Sequence, residues 1–470
     1  MPKPSAPHPD VDSVTTIRED GSRFFLHPAD VKGFFTRHRR WSGLLLIAIY
    51  LSLPWIKIGN YPAVFLDIGG RRFHLFGFTL AFQDIWLLFF VITGLGFTLF
   101  FVTSLLGRLW CGWACPQTVF LEHVYRRIER WIEGDAVKRR ALDAAPWTTE
   151  KIVKRTGKQI AFIVVSAVIS HLFLAYYVSL SELWDMMSSA PREHWGAFVF
   201  VFLFTAVNYF NFAWFREQLC IVICPYGRLQ SALTDDNTMV IGYDEKRGEP
   251  RGKPNVAGVG DCVDCNRCVQ VCPTGIDIRH GLQLECIGCA ACIDACDDVM
   301  TKVKRPAGLI RYDSLNGLQG QKTRWVRPRT VVYSILLLIG MGVASYALST
   351  VRPAVFGITR MTGAPYIVED DAVRNQFLVR LINKRDEPQR FSLELLDTPA
   401  EVTRAGFTGP VEVGPLGEQV LPVIMRIPRG AYDGRFHFTA RVTGGDGEYT
   451  LVREVEFVGP DPDLLREDAP

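Results

Sequence analysis

Eight cysteines between Cys262 and Cys296 fall into two consecutive runs of one spacing, and that spacing restricts what the segment can fold around. The first run is Cys262-x2-Cys265-x2-Cys268-x3-Cys272-Pro273, and the second is Cys286-x2-Cys289-x2-Cys292-x3-Cys296. Close-set thiolates on a tight loop reach three corners of an iron-sulfur cubane, while the fourth corner points away and must be met by a more distant segment. In bacterial two-cluster ferredoxins the fourth cysteine of each run therefore ligates the other cluster. On this pattern Cys262, Cys265, Cys268 and Cys296 hold one 4Fe-4S cluster, and Cys286, Cys289, Cys292 and Cys272 hold a second. Pro273 and Gly275 help the chain turn there. A double zinc site usually shows two separated Cys-x2-Cys knuckles, and a disulfide framework does not call for the doubled crossover spacing.

The chain of 470 residues is 48% hydrophobic, enough for membrane spans beside soluble parts. Five apolar stretches, residues 41–58, 85–106, 160–180, 196–215 and 331–349, each approach the roughly 20 residues a helix needs to cross hydrocarbon. Residues 41–58 are the shortest and contain Pro54. A polar tail of about 40 residues precedes them and no small-residue cleavage site follows them, so no secretory signal peptide is expected.

Orientation follows from where positive charge collects. Arg37, Arg39 and Arg40 precede the first stretch, and Arg126, Arg127, Arg130, Lys138, Arg139, Arg140, Lys151, Lys154 and Arg155 fill the loop after the second. Both should be cytoplasmic. The next loop holds Glu182, Asp185 and Glu193 against Arg192, as suits the outside, whereas Arg71 and Arg72 in the first outer loop are a small exception. Five crossings put the cluster runs inside and residues 351–470 outside. All twelve cysteines then fall on the reducing side, where thiols and clusters persist. The net charge of +3 is modest and its basic residues flank the membrane, which argues for lipid contact and against nucleic acid.

The expected fold class is a multi-pass α-helical membrane protein with an inserted two-cluster ferredoxin-like domain and a C-terminal immunoglobulin-like β-sandwich. Residues 1–36 read as a loosely ordered polar tail, 37–245 as a membrane domain with four helices, 246–329 as the cytoplasmic ferredoxin domain, 330–350 as a fifth span and 351–470 as the periplasmic sandwich. From Pro116 to Glu133 the pattern is amphipathic. Phe120, Leu121, Val124, Tyr125, Ile128, Trp131 and Ile132 share one face and Glu122, Arg126, Arg127, Glu129 and Arg130 the other, as in a helix lying on the inner membrane surface. In the tail, short alternating runs at 377–381, 391–395, 420–427, 436–442 and 451–457, separated by turn signals, predict the sandwich.

A second thiol pattern repeats. Cys111-x3-Cys115-Pro116 follows one apolar stretch and Cys220-x3-Cys224-Pro225 follows another. In a continuous helix, residues four apart share a face and could present two sulfurs to one ion. Proline suits the first turn of a new helix, which would instead put Cys115 and Cys224 at helix N-termini, where the dipole favours thiolate. Soft thiolates favour Cu(I), although thiol-disulfide exchange is also open to such pairs. His171 is the one histidine within the spans, and a b-type haem would normally ask for two.

The residues that carry these patterns also carry a family resemblance. Arg108 to Val119, Arg130 to Asp135, Cys224 to Ser231, Gly242-Tyr243-Asp244, Arg247 to Gly252, Gly260 to Asp297 and Gly308 to Tyr312 resemble the CcoG/FixG/RdxA family of cytochrome c oxidase accessory proteins. The second run ends Cys296-Asp297 where ferredoxins have Cys-Pro, and in this it resembles the family. The resemblance implies a membrane protein of the bacterial cytoplasmic membrane that helps assemble cbb3-type oxidase by reducing Cu(II). It implies partners too, a copper-transporting P-type ATPase and oxidase assembly factors, and an electron relay through the clusters would need an unidentified cytosolic electron donor. The eight cluster cysteines become electron carriers, and Cys111, Cys115, Cys220 and Cys224 the catalytic or copper-binding thiols. Two other readings stand beside this one: a quinol dehydrogenase-type relay subunit, and a non-enzymatic scaffold whose clusters sense redox state.

Overall fold

The computed structural model describes Thr16 and residues 23–467 apart from 60, 71, 82, 83, 85, 255 and 386. Two compact units divide the chain, one built mainly from residues 87–345 and the other mainly from 346–470. In the first, α1 (Phe34–Ser52) and α2 (Trp86–Leu106) lead to the short α3 (Leu109–Trp113). A continuous helical segment follows: α4 (Pro116–Phe120), a π-turn (Leu121–Tyr125) and α5 (Arg126–Glu133). Then come α6 (Ala136–Ala144), α7 (Thr149–Leu174), α8 (Leu180–Ser188), α9 (Trp195–Phe210) and α10 (Pro225–Leu233).

Four helices among the described residues are long and apolar enough to cross a membrane: α2, α7, α9 with its π-extension to Phe215, and α15 (Pro328–Ser349). The expected span at residues 41–58 is not among them. Its helix begins at Phe34, takes Arg37, Arg39 and Arg40 into its first turns, and ends at Ser52 before Pro54. The apolar part from Trp41 to Ser52 measures only about 18 Å at the α-helical rise, against a hydrocarbon core of about 30 Å. Tyr50 near its far end meets the end of α7, donating to the Ile169 carbonyl at 3.1 Å and accepting from Tyr176 Oη at 2.7 Å.

The helix at 116–133 departs from the surface amphipath expected of it. Arg126 is fully buried and Glu129 and Glu133 are 2% exposed, whereas Trp131, assigned to the apolar face, is 79% exposed. The polar face is covered because it meets charge of the opposite sign. Glu129 Oε2 accepts from Arg216 at 2.8 Å and from Arg139 at 3.0 Å. Arg126 donates to Glu217 at 3.0 Å and also pairs with Glu122, while Glu133 pairs with Lys158 at 2.9 Å and Arg155 at 3.1 Å. Arg216 ends the α9 extension at φ +55°, ψ −121°, a conformation that strains a non-glycine residue. Its buried guanidinium, held by Glu129, over-determines that turn.

The same need for partners orders much of the expected polar tail. Arg23 reaches Glu217 at 2.7 Å, Asp30 pairs with Arg130 at 2.9 Å, and the Ala29 N–H donates to the Gln270 carbonyl at 2.8 Å. Residues 23–33 are therefore packed rather than loose. Apart from Thr16, residues 1–22 of that tail lie outside the described residues, as does Arg71 of the charge exception.

Strands Val240–Tyr243 and Ile310–Asp313 pair antiparallel and bracket the cysteine runs. Between and beside them lie the short helices α11 (Glu245–Gly248), α12 (Arg267–Gln270) and α14 (Leu315–Leu318), with the longer α13 (Ala291–Lys302). This ferredoxin part is not a free insert. Buried Asp294 on α13 caps α1, accepting from Thr36 N at 2.7 Å and Phe35 N at 3.2 Å, so a carboxylate sits at the positive end of that helix. A Cβ at Gly33 would lie 2.2 Å from the Asp294 carboxyl carbon, so the approach needs glycine's missing side chain.

The second unit is the expected sandwich. One sheet orders strands Thr403–Gly406, Glu418–Pro428, Ala372–Asn383 and Ala354–Arg360, with Ile367–Val368 also on Ala372–Asn383. The other orders Val411–Val413, Gln389–Leu396, Phe436–Gly444 and Tyr449–Phe457. Each of the five alternating runs lies in a strand, because alternation sends Phe377, Val379 and Leu381 from one sheet and Phe391, Phe438 and Phe457 from the other into a common core. Residues 58–61 and 68–86 belong to this unit rather than to the membrane unit, and there Lys384 pairs with Asp84 at 2.5 Å.

Burial by itself would raise the carboxyls of Glu122 and Glu129, but neighbouring guanidiniums outweigh it and hold both down at about 2. Their stabilisation is complete above the ordinary value of 4.5 and is lost as pH falls toward about 2. The melting midpoint of the purified protein is expected to stay level down to about pH 5 and to drop below it. Glu129→Gln, which leaves two buried guanidiniums short of their counter-charge, is expected to cost about 3–5 kcal/mol and to lower the neutral-pH melting midpoint.

Candidate electron-transfer site

The structure brings the eight cysteines together in two sets. Cys296 interacts electrostatically with Cys262, Cys265 and Cys268, and Cys292 with Cys286, Cys289 and Cys272 and also with Cys268 of the first set. Cys272 also interacts with Cys286 and Cys289. Left-handed residues turn the loops: Asp264 and Asn266 in the first run, Gly288 and Ala290 in the second. Cys268, Cys272, Cys286, Cys289 and Cys292 line one small cavity together with Ile241, Ile276, Ile278 and Ile287. All twelve thiols are free, and of the eight only Cys265 is exposed. Soft sulfur donors in two sets of four, around a small apolar cavity, fit a pair of 4Fe-4S clusters. Among the described residues no three His, Cys, Asp or Glu groups are drawn to a single-ion point, and a cubane does not ask for that, since each thiolate meets a different iron.

Neither Cys-x3-Cys pair lies on a continuous helix. Cys111 sits in α3, whereas Cys115 is extended, with φ −62° and ψ 125°, and caps α4 with Pro116 at its first position. Cys220 sits in a π-turn (Leu219–Ile223), and Cys224, with φ −62° and ψ 112°, caps α10 ahead of Pro225. Proline has started a new helix in both places. The two motifs nonetheless meet, since all six pairs among Cys111, Cys115, Cys220 and Cys224 interact electrostatically.

The helix N-terminus does not win at Cys115. Burial pushes its thiol above the ordinary value, against the opposing pull of the Thr118 and Gln117 backbone N–H groups. Burial likewise pushes Cys111 and Cys220 up to about 12, so without a metal these thiols keep their protons.

Hydrogen bonds hold the motif segments together. Arg108 Nη2 donates to the Gly227 carbonyl at 2.7 Å, Gln117 Nε2 to the Arg216 carbonyl at 3.0 Å, and Asn211 Nδ2 to Gln117 Oε1 at 2.7 Å. The four-thiol group also abuts the second cysteine run. Cys111 packs against the apolar cluster that contains Val271, Ile287 and Cys289, and a Cβ on Gly112 would lie 2.7 Å from the Ile287 carbonyl and 2.8 Å from that of Gly288. Trp113 Nε1 donates to Tyr312 Oη at 3.3 Å, and that hydroxyl donates to the Gly288 carbonyl at 2.6 Å. On the other side Arg126 donates to the carbonyl of Pro273, next to Cys272, at 3.1 Å. Sequence reasoning singled out the cysteines but not Arg126, Arg216, Glu217 or Asp294. The charged pair Arg216-Glu217, squeezed between an apolar helix and a cysteine motif, was the signal available.

Comparison with known proteins gives three family models that match the chain. A 4Fe-4S binding domain covers residues 85–134, a 4Fe-4S dicluster domain 215–315, and the Ig-like fold at the C-terminal of FixG 344–460. Protein RdxA of Cereibacter sphaeroides is 35% identical over 86% of this chain and 90% of its own. The nitrogen fixation protein FixG of Rhizobium meliloti is 35% identical over 90% of this chain and 91% of its own. Ferredoxin-type protein NapH of Haemophilus influenzae is 24% identical over 56% of this chain and 87% of its own.

Gly112→Val forces side-chain atoms into the backbone of the second run. It is expected to cost about 1–3 kcal/mol and to change the electron paramagnetic resonance signal of the reduced protein, with iron and sulfide content reporting whether the clusters are retained.

Proposed function

The chain belongs to the FixG/RdxA family and is an iron-sulfur electron-transfer protein of a membrane, and from that premise we propose that it reduces Cu(II) to Cu(I) in support of cbb3-type cytochrome c oxidase assembly. The observation that carries this reading is the meeting of Cys111, Cys115, Cys220 and Cys224 beside the second cysteine run. Cys262, Cys265, Cys268 and Cys296 would hold one 4Fe-4S cluster, and Cys272, Cys286, Cys289 and Cys292 the other. When bound, such clusters supply electrons singly, which matches the one electron that separates Cu(II) from Cu(I).

The thiols of this group would take the copper ion as substrate, two at a time in the geometry described, since among the described residues no three of them are drawn to one ion point. Sulfur is soft and favours Cu(I), so the same ligands that admit the ion favour its reduced form. Binding displaces the thiol protons, and the surrounding burial keeps water from competing for the metal. Gly112, having no side chain, lets this group lie against the Ile287–Gly288 backbone, and Tyr312 holds that backbone in place.

In this reading the cysteine-bearing side faces the cytoplasm, where a soluble donor supplies electrons, and the sandwich faces the periplasm. A copper-transporting P-type ATPase and oxidase assembly factors are the partners for the product. A second reading is a relay subunit fed by quinol, and the similarity to a ferredoxin-type protein supports the relay part of it.

The test is Cu(I) production by the purified, chemically reduced protein, compared with a variant carrying Ser at positions 111, 115, 220 and 224. The variant is expected to keep its iron and sulfide and to lose at least about tenfold in rate, about 1.4 kcal/mol of barrier. Unchanged Cu(I) production would sink the thiol site, and cluster reduction that depends on added quinol would favour the second reading.

A further inference from the structure

A cavity on the cysteine-bearing side carries more positive charge than its walls neutralise. It lies between the first turns of α1, the helix at 116–133, the Pro28–Val31 segment and the loops at Pro273 and Ala291. Its volume is about 40 Å³, several times what one water needs. Four guanidiniums line it: Arg39, Arg40, Arg127 and Arg130.

Only part of that charge is answered. Two carboxylates face the four guanidiniums: Asp30 pairs with Arg130 at 2.9 Å and also acts on Arg127, and Glu122 pairs with Arg126 while acting on Arg39, Arg127 and Arg130 from a distance. The Arg40 and Arg127 guanidiniums make no hydrogen bond or ion pair among the described residues. Arg39 is 7% exposed, and its Nε donates to the Gly112 carbonyl at 2.7 Å while its Nη2 is buried with no acceptor.

Burying unsatisfied charged donors costs several kcal/mol unless an anion completes them. Two effects show the strain already present. Burial, with the neighbouring Arg40 and Arg130 charges, lowers the Arg127 guanidinium below its ordinary value, and burial with Arg39 holds His123 down at about 4, so the imidazole adds no charge at neutral pH. Converging forks of guanidinium donors match the oxygens of a phosphate better than a single carboxylate.

We propose that Arg39, Arg40, Arg127 and Arg130 form a binding site for a phosphate-bearing anion, set against the loops that follow Cys272 and precede Cys292. The ligand is a lipid headgroup phosphate or a free phosphate compound. Its negative charge, placed next to the second cysteine run, would lower the reduction potential of a cluster held there, because added negative charge disfavours taking up an electron.

The test uses the full-length, cluster-loaded protein in phosphatidylcholine nanodiscs and reads bound phosphorus by 31P NMR. One arm titrates inorganic phosphate, and the other replaces part of the lipid with phosphatidylglycerol. Wild type is expected to saturate with one probe, and Arg40→Gln/Arg127→Gln to weaken that binding about tenfold or more. Saturation by inorganic phosphate identifies a free ligand, and retention of phosphatidylglycerol without it identifies a headgroup. Equal binding by wild type and the double variant, or no binding of either probe, would overturn the site. Neither substituted side chain has a hydrogen-bond partner, so iron and sulfide content should be unchanged. If the double variant nevertheless loses its clusters, Arg40→Gln alone carries the same comparison.

Discussion

Two buried carboxylates, Glu129 and Glu217, hold the cysteine-bearing half of this protein together. Glu129 takes Arg139 and Arg216, and Glu217 takes Arg23 and Arg126, every one of these side chains at most 2% exposed. A buried ion pair repays its desolvation only when its geometry is good and its remaining donors are satisfied. Here the partners come from four separate segments, the described start of the chain, the helix at 116–133, α6 and the turn after α9, and Arg126 reaches on to the Pro273 carbonyl. The network does more than stabilise. It specifies which segments meet, because any other arrangement would leave charge buried and unpaired.

That specification places the chemistry. The helix at 116–133 begins at Cys115, and Arg216 and Glu217 lead directly into Cys220. Fixing Arg126 on Glu217 and Glu129 on Arg216 therefore draws the two Cys-x3-Cys motifs into one four-thiol group. Backbone contacts set its other boundary. Gly112 and Gly288 approach so closely that a Cβ on either would meet carbonyl oxygen of the opposite strand of chain within 3 Å, and this is what seats the thiols against the second cysteine run. Asp294 completes the assembly by tying the helix of that run to the start of α1, so the ferredoxin part and the helices form one compact unit. The guanidiniums of Arg39, Arg40 and Arg127 are left over from these pairings and all face the same cavity.

Periodicity and spacing made much of this legible. The alternating runs in the tail identified strands because a period of two leaves no other way to bury Phe377, Val379 and Leu381 on one side. The apolar lengths at α2, α7, α9 and α15 announced themselves by composition. The first span was less readable, since a window of hydropathy does not show that the helix starts inside the arginines and stops before Pro54. The amphipathic reading at 116–133 found the helix and misjudged its polar face: a charged stripe looks the same in sequence whether it meets water or an opposite charge.

Spacing alone determined that eight cysteines suit two cubanes, because local loop geometry dictates how few residues can separate thiolates reaching one cluster. Spacing likewise marked Cys115-Pro116 and Cys224-Pro225 as possible helix starts, since proline's fixed φ acts within one or two residues. Only the tertiary structure decided that the two thiol pairs form one group, that burial keeps the protons on Cys111, Cys115 and Cys220, and that a set of arginines remains unanswered beside it. Those outcomes depend on which distant charges pair and how closely two backbones can pass, and neither quantity is encoded in the order of residues along a single segment.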